Sequence, residues 1–232
     1  MKDQQSAFSD YSIIRDNVNK LKLIQLGLTF CKEDGTIAED CPSWQFNFRF
    51  DPQFVLFHHL LISRLDINNS ETIDLLKASG INFSQQATQG IDPTRFGELF
   101  TMSGLVLNPA ITWITFHGLI DLAFLLHILT GCDLPEKPSD FQSILHVFFP
   151  HLYDLKLLLL DYHQFTGSLV NIARDLQVDS HSCPCQSADE SRMMMDVFFK
   201  IKETIFHNMI DDKLNGKLFY LQSTQFYFVF LN

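Results

Sequence analysis

The sequence predicts a mixed α/β domain, a sheet flanked by helices, and three observations carry that prediction. Leu21–Phe30 (LKLIQLGLTF) and Trp44–Phe50 are two strand-like stretches separated by a polar, Gly- and Pro-containing connection, which is hairpin grammar. Further on, apolar strand-like runs alternate with helical patterns, as in ITWITF followed by LIDLAFLLHILT. Composition is that of a packed globule, with 46% hydrophobic and 19% charged residues. No G-x-G-x-x-G and no P-loop appears, so a dinucleotide or nucleoside-triphosphate fold is excluded as the first reading.

The elements follow in order. Residues 1–17 are polar and weakly patterned and read as a frayed start. Leu21–Phe30 reads as a strand, and Cys31–Ser43, rich in Lys, Glu, Asp, Gly and Pro, as its hairpin connection. Trp44, Phe46, Phe48 and Phe50 alternate with Gln45, Asn47 and Arg49, the clearest period-two signal in the chain and the mark of a half-buried strand antiparallel to the first. Residues 53–65 (QFVLFHHLLISRL) are apolar on every side and fit a buried helix or an insertion. Ser70 caps a short helix that Gly80 ends. Asp92-Pro93 opens the next helix, through Phe96, Leu99 and Phe100 to Gly104, with proline at the first helical position.

Ile111–Gly131 comes next, strand then helix, and contains one acid, Asp121, between His117-Gly118 and the apolar helix. Ser139 is expected to cap a helix over Phe141–Phe149 that Pro150 terminates. His151–Leu160 reads as a central strand because it is apolar throughout. Gly167–Val178 is amphipathic, with Leu169, Ile172, Ala173 and Leu176 on one face. Residues 179–187 form a loop. Ala188–Phe206 is the longest helix, its core face marked by Met194, Phe198, Ile201 and Ile205. No repeats or low-complexity linkers occur, so residues 1–232 are expected to form a single domain. The segment 53–65 is an atypical insertion in it and 222–232 an atypical tail.

Charge and cysteine usage narrow the function classes. With 17 basic against 27 acidic side chains the formal charge is −10, which argues against broad basic-patch binding of nucleic acid. A metal-dependent nuclease stays open, because bound cations can supply the positive charge. Cys31, Cys41, Cys132, Cys183 and Cys185 are odd in number and form no paired framework, so reduced thiols and an intracellular protein are expected. The N-terminus has no apolar signal-peptide core. The apolar runs Phe54–Ile62 and Phe226–Leu231 fall far short of the roughly 20 residues of a spanning helix, so no membrane is expected.

Asp121 and the pair Asp189-Glu190 are the first candidates for chemistry. Each can be a helix-start acid interacting with the N-terminal dipole, worth about 0.3–1 kcal/mol. Two such acids on helices that pack against one sheet can also converge on a metal. Two carboxylates hold one cation loosely and two cations hardly at all. His181, in the loop ahead of the long helix, can serve as base to a metal-bound water or be an ordinary loop histidine. With Cys183 and Cys185 it could suggest zinc, but a C-x-C without a second pair is a weak signal.

The segments Leu21–Phe30, Trp44–Phe50, Phe96–Leu107, Trp113–Leu126 and Phe148–Lys156, with FGELF, FHGLID, ILTGCDLPE, FFPHLYDLK and QSADES, resemble in serial order the CCR-associated-factor (Caf/Pop) deadenylases. The resemblance spans roughly Tyr11–Leu221 apart from 53–65. It implies an RNase H-like fold of the DEDD exonuclease type, a 3′→5′ poly(A)-specific ribonuclease using two Mg²⁺ or Mn²⁺ ions. It further implies membership of the CCR–NOT complex with a NOT-type scaffold and poly(A) RNA as partners, and a location in nucleus and cytoplasm. In that family the metals are held by an Asp-x-Glu pair on the first strand, an Asp after a later strand, and a last Asp preceded by a catalytic His.

Asp121 falls where the middle Asp stands. The family's Gln-Ala-Gly-Ser-Asp-Ser run corresponds to Gln186-Ser187-Ala188-Asp189-Glu190-Ser191, which puts Glu190 at the last Asp. The His falls on Cys185 without gaps, or on His181 if Ser182–Cys185 is an insertion. The Asp-x-Glu strand is expected ahead of Asp10-Tyr11, where neither acid occurs. The expectation is a sheet lacking its first strand, in an incomplete or mis-spliced chain. The resemblance thus implies either a working deadenylase or an inactive relative that still binds the NOT scaffold.

Overall fold

The computed structural model describes residues 11–37, 43–50, 76–78, 80–178 and 187–219. It opens with a helix, α1, over residues 11–18, where the sequence pattern suggests only a frayed start. Two anchors make the difference, because Tyr11 and Val18 are both buried and the Tyr11 hydroxyl donates to the Pro135 carbonyl at 2.8 Å. Contacts with residues more than a hundred positions away are invisible to a local pattern.

β1 (Gln25–Thr29) and β2 (Ser43–Asn47) pair antiparallel, Leu26 opposite Phe46 and Leu28 opposite Trp44. The alternation read from the sequence is met on the inner face: Phe48 and Phe50 are buried, while Trp44 is exposed. The 53–65 segment, Ser70 and the tail 222–232 lie outside the described residues; residues 76–78 are helical ahead of Gly80.

A short helix that the sequence reading misses, α2 (Phe83–Gln89), is capped by Asn82, whose side chain accepts from Gln85 N. α3 (Pro93–Met102) begins as expected, Asp92 accepting from Arg95 N and Pro93 starting the helix. Its stripe Phe96–Phe100 links the sheets through aromatic contacts. Phe96 meets Phe46 and Phe48 at 5.1 and 5.0 Å, Phe100 meets Trp113 at 6.2 Å, and Trp113 meets Phe149 at 5.0 Å. Such ring pairs add about 0.5–1.5 kcal/mol each beyond their buried area. Gly97 lets the next helix close in, since a Cβ there would stand 2.4 Å from the Ile128 carbonyl oxygen.

β3 (Thr112–Thr115) and β4 (His151–Asp154) pair in parallel, joined through α4 (Leu119–Thr130) and α5 (Pro138–Phe148). Ser139 is not the cap of α5. Lys137 takes that position without a side-chain bond and Pro138 starts the helix, because proline's fixed φ suits the first turn and it has no N–H to satisfy. The predicted strand His151–Leu160 stops at Asp154, whose side chain accepts from Lys156 N and turns the chain into α6 (Leu155–Leu158). Continuous apolarity does not distinguish a buried strand from a buried helical turn. α7 (Leu169–Asp175), capped by Ser168, α8 (Ser187–Thr204) and a 3₁₀ turn at Asp212–Leu214 follow.

The architecture is mixed α/β with flanking helices, as expected, and among the described residues the strands form two two-stranded ladders. Buried apolar residues fall into two clusters. One gathers Phe48, Phe96, Leu122, Leu126 and Phe141, and the other Leu155, Ile172, Val197 and Ile201. β3 separates them with strict alternation, Trp113 packing on the first and Ile114 on the second. Among the described residues no helix is long and apolar enough to cross a membrane.

Candidate functional site

The position of Asp121 is set by a residue the sequence reading passes over. Asp154 ends β4 fully buried. One of its carboxyl oxygens accepts from His117 N at 2.8 Å and Lys156 N at 3.0 Å, the other from Phe219 N at 3.1 Å. Burial pushes its pKa up, and the N–H groups of His117, Phe219, Lys156 and Gly118 pull it back down. A buried carboxylate is tolerable only with such donors around it.

The bond to His117 holds an uncommon turn. His117 sits at φ 61°, in the left-handed region that costs a side-chain-bearing residue about 1–2 kcal/mol. Gly118 follows so closely on Thr115 that a Cβ would lie 2.4 Å from the Thr115 Cβ. α4 then starts at Leu119 and carries Asp121 in its first turn. Asp121 is solvent-exposed as a residue, while the protein packed around its carboxyl disfavours the charged form. Burial first, then the negative charges of Glu190 and Asp154, push its pKa up to about 7.

Glu190 arrives from the other ladder. α8 begins against β1 at Gly27, where a Cβ would stand 1.9 Å from the Ser187 carbonyl oxygen, so only glycine permits the approach. The seat is fixed by Ser187 Oγ donating to Gln45 Oε1 at 3.3 Å and by the Thr29–Ser191 hydroxyl pair at 2.7 Å. Glu190 occupies the first turn of α8, and burial raises its pKa. Glu190 contributes to the raised pKa of Asp121, second to burial. His181, Cys183 and Cys185 lie outside the described residues.

The nearby cation is directed elsewhere, Lys156 Nζ donating to the Gly167 carbonyl at 2.8 Å and lying over the Phe116 ring. Among the described residues no group of three His, Cys, Asp or Glu is arranged to hold a metal. Two mutually repelling carboxylates, with Asp154 already committed to backbone N–H groups, fit one hydrated divalent cation. They do not fit a pair of cations, which needs carboxylates from more elements. Asp154 and Gly27 were legible only in part: an acid inside the apolar run HLYDLKLLLL, and a glycine inside a strand.

Comparison with known proteins agrees with the fold. A family model described as CAF1 family ribonuclease matches residues 106–214. The chain is 38% identical over 214 residues to probable CCR4-associated factor 1 homolog 10 of Arabidopsis thaliana, covering 90% of this chain and 73% of that protein. It is 36% identical over 214 residues to the poly(A) ribonuclease pop2 of Schizosaccharomyces pombe, covering 92% of this chain and 61% of that protein. Its structure matches that of S. pombe Pop2p in a Mg²⁺- and Mn²⁺-bound form, with a TM-score of 0.81 at 35% identity over 91% of this chain and 79% of that one. It also matches a chain in a structure of the yeast NOT1 MIF4G domain co-crystallized with CAF1, with a TM-score of 0.73 at 30% identity over 90% of this chain and 79% of that one.

Proposed function

This chain belongs to the CAF1 ribonuclease family, the CCR4-associated-factor and Pop2 deadenylases with their RNase H-like fold, and from that premise we propose that it serves mRNA deadenylation as a scaffold-bound subunit with weakened cation binding and little exonuclease activity of its own. The carrying observation is the pairing of only Asp121 with Glu190 across the two ladders, among the described residues. When bound, a divalent ion would neutralise the charge of a phosphate and of these two acids. Asp121 and Glu190 would hold it, and Asp154 would keep Asp121 in place through the His117–Gly118 turn. Phosphoryl transfer by two ions needs further ligands, and Glu190 in place of an aspartate moves the carboxyl by one methylene in a site that tolerates roughly 0.5 Å.

The partner half of the proposal rests on the structural likeness to a chain from a crystal of a NOT1 MIF4G domain with CAF1. A second reading, an active Mg²⁺- or Mn²⁺-dependent 3′→5′ poly(A) exoribonuclease, is favoured by the likeness to Pop2p in its metal-bound form. Here His181 would be the base.

One experiment separates the two. The purified chain is incubated with 3′-polyadenylated RNA and Mg²⁺ or Mn²⁺, and its binding to a NOT1 MIF4G domain is measured alongside. Binding without tail shortening is expected. Ordinary shortening, lost in His181→Ala and Asp121→Asn, would establish the second reading instead.

A further inference from the structure

Beyond the 3₁₀ turn the chain returns to β4 and clasps it. Leu152 N donates to Asn215 Oδ1 at 2.8 Å, and Gly216 N donates back to Leu152 O at 2.9 Å. Asn215 Nδ2 donates to Pro150 O at 3.1 Å and lies 3.4 Å from His151 Nδ1. Three residues on, Phe219 N donates to Asp154 Oδ2. Residues 215–219 therefore form a strap along β4. Its far end helps to hold the carboxylate that fixes the His117–Gly118 turn.

The clasp is built on Asn-Gly, the dipeptide most open to attack of the backbone on an asparagine amide, because glycine has no side chain to hinder its nitrogen. In that reaction the Gly216 nitrogen gives up its proton and bonds to Asn215 Cγ. The Cγ–Nδ2 bond breaks and the amide leaves as ammonia. Water then opens the succinimide ring at either carbonyl. Opening at Cγ gives aspartate. Opening at the backbone carbonyl gives isoaspartate, whose main chain runs through Cβ and Cγ. Nothing is oxidised or reduced, and water is the only co-reactant.

The closed clasp denies each requirement. The Gly216 N–H is spent on Leu152 O, and both polar atoms of the Asn215 amide are bonded. Asn215 stands at φ −59° and ψ 134°, close to polyproline geometry, whereas ring closure needs the Gly216 nitrogen swung onto Cγ. Gly216 is buried and left-handed at φ 71°, so the turn itself requires glycine there. The approach to the clasp is weaker. The turn Asp212–Leu214 buries none of its residues, and His207 and Asn208 ahead of it are left-handed, at φ 48° and 65°. Exposed and strained backbone belongs to the segments that open locally.

We propose that Asn215–Gly216 is a fold-gated modification site, which deamidates only when the clasp releases Leu152 and whose isoaspartate product keeps the clasp from closing again. Isoaspartate lengthens the backbone by a methylene and lacks the Nδ2 donor, so the bonds to Leu152 and Pro150 cannot re-form together. The loss reaches Asp154 through Phe219 and slackens the turn ahead of Asp121. The alternative product, aspartate, keeps an oxygen for Leu152 N and loses only the donor to Pro150.

Peptide mapping by mass spectrometry at mildly alkaline pH follows the reaction in the full chain and in a synthetic peptide of residues 211–219. The full chain should convert on the order of 100-fold more slowly, in proportion to the time its clasp is open. Equal rates would overturn the proposal. Full chain aged in urea, refolded and freed of unmodified protein is then compared by hydrogen exchange with unaged chain taken through the same cycle. The isoaspartate form should lose protection about 10-fold or more at the Leu152, Gly216 and Phe219 amides, with Leu126 in the core unchanged. Freshly prepared Asn215→Asp, which has the acid without the longer backbone, should keep protection at Leu152. Undiminished protection in the isoaspartate form would overturn the proposal, as would its failure to refold, since the damage is placed in the strap alone. Equal loss in Asn215→Asp would assign the effect to charge and refute the backbone argument.

Discussion

Replacing Asp121 with Asn tests whether burial and neighbouring charge disfavour the ionised carboxyl at this site. The carboxyl is displaced from the ordinary 3.8 to about 7 by burial and by the charges of Glu190 and Asp154. At 1.36 kcal/mol per pKa unit that displacement is worth about 4 kcal/mol at face value. Solvent reaches Asp121, and screening there lowers the net effect to about 1–2 kcal/mol.

The sign follows from linkage. A carboxyl whose folded pKa is raised binds a proton more tightly in the folded chain, so its contribution is most favourable below pH 3.8 and is lost as pH rises to about 7. Asparagine never ionises. Asp121→Asn should therefore stabilise the metal-free protein by about 1–2 kcal/mol at pH 8 and by about a third of that at pH 5. For a chain of this size the pH 8 gain corresponds to a rise in Tm of about 2–8 °C.

The assay is urea unfolding followed by circular dichroism at both pH values, with chelator present. Mn²⁺ should then stabilise the natural chain and not the variant, because a ligand that binds only the folded state raises its stability by mass action. An asparagine variant less stable than the parent at pH 8, or a gain equal at pH 5 and pH 8, would show that the folded protein does not raise the Asp121 pKa through burial and the neighbouring charges.

Three further outcomes are expected. Asp154→Ala should cost about 3–5 kcal/mol, because it orphans the N–H groups of His117, Lys156 and Phe219; thermal melting reads it, and a loss below 1 kcal/mol would contradict the pinning role. Gly27→Ala should destabilise by about 1–3 kcal/mol, since its methyl meets Ser187 backbone, and should lower the Asp121 pKa by moving Glu190 away, a shift that carboxyl NMR titration detects. Thr115 Oγ1 is buried without a hydrogen-bond partner, so Thr115→Val should leave stability unchanged or raise it by up to about 1 kcal/mol, measured by the urea midpoint.

The legible part of this protein is the part with short-range causes. The alternation Trp44–Phe50 announces β2, Asp92-Pro93 announces the start of α3, and Asp121 marks itself by standing alone between two apolar elements. The serial likeness of its segments to the Caf/Pop deadenylases was also present in the sequence alone, and similarity to family members over most of this chain bears it out. Elements held by distant partners were not legible. α1 depends on a tyrosine bonded to Pro135, and the end of β4 depends on a carboxylate that gathers N–H groups from three separate stretches.

The sequence by itself determined the fold class, the family and two of the acids, because periodicity, capping and motif order are written in neighbouring residues. The tertiary structure alone decided that the charge of Glu190, on the helix seated against β1, bears on Asp121, in the helix that follows β3. Electrostatic energy and strand pairing depend on distances through space, and a linear pattern does not contain them.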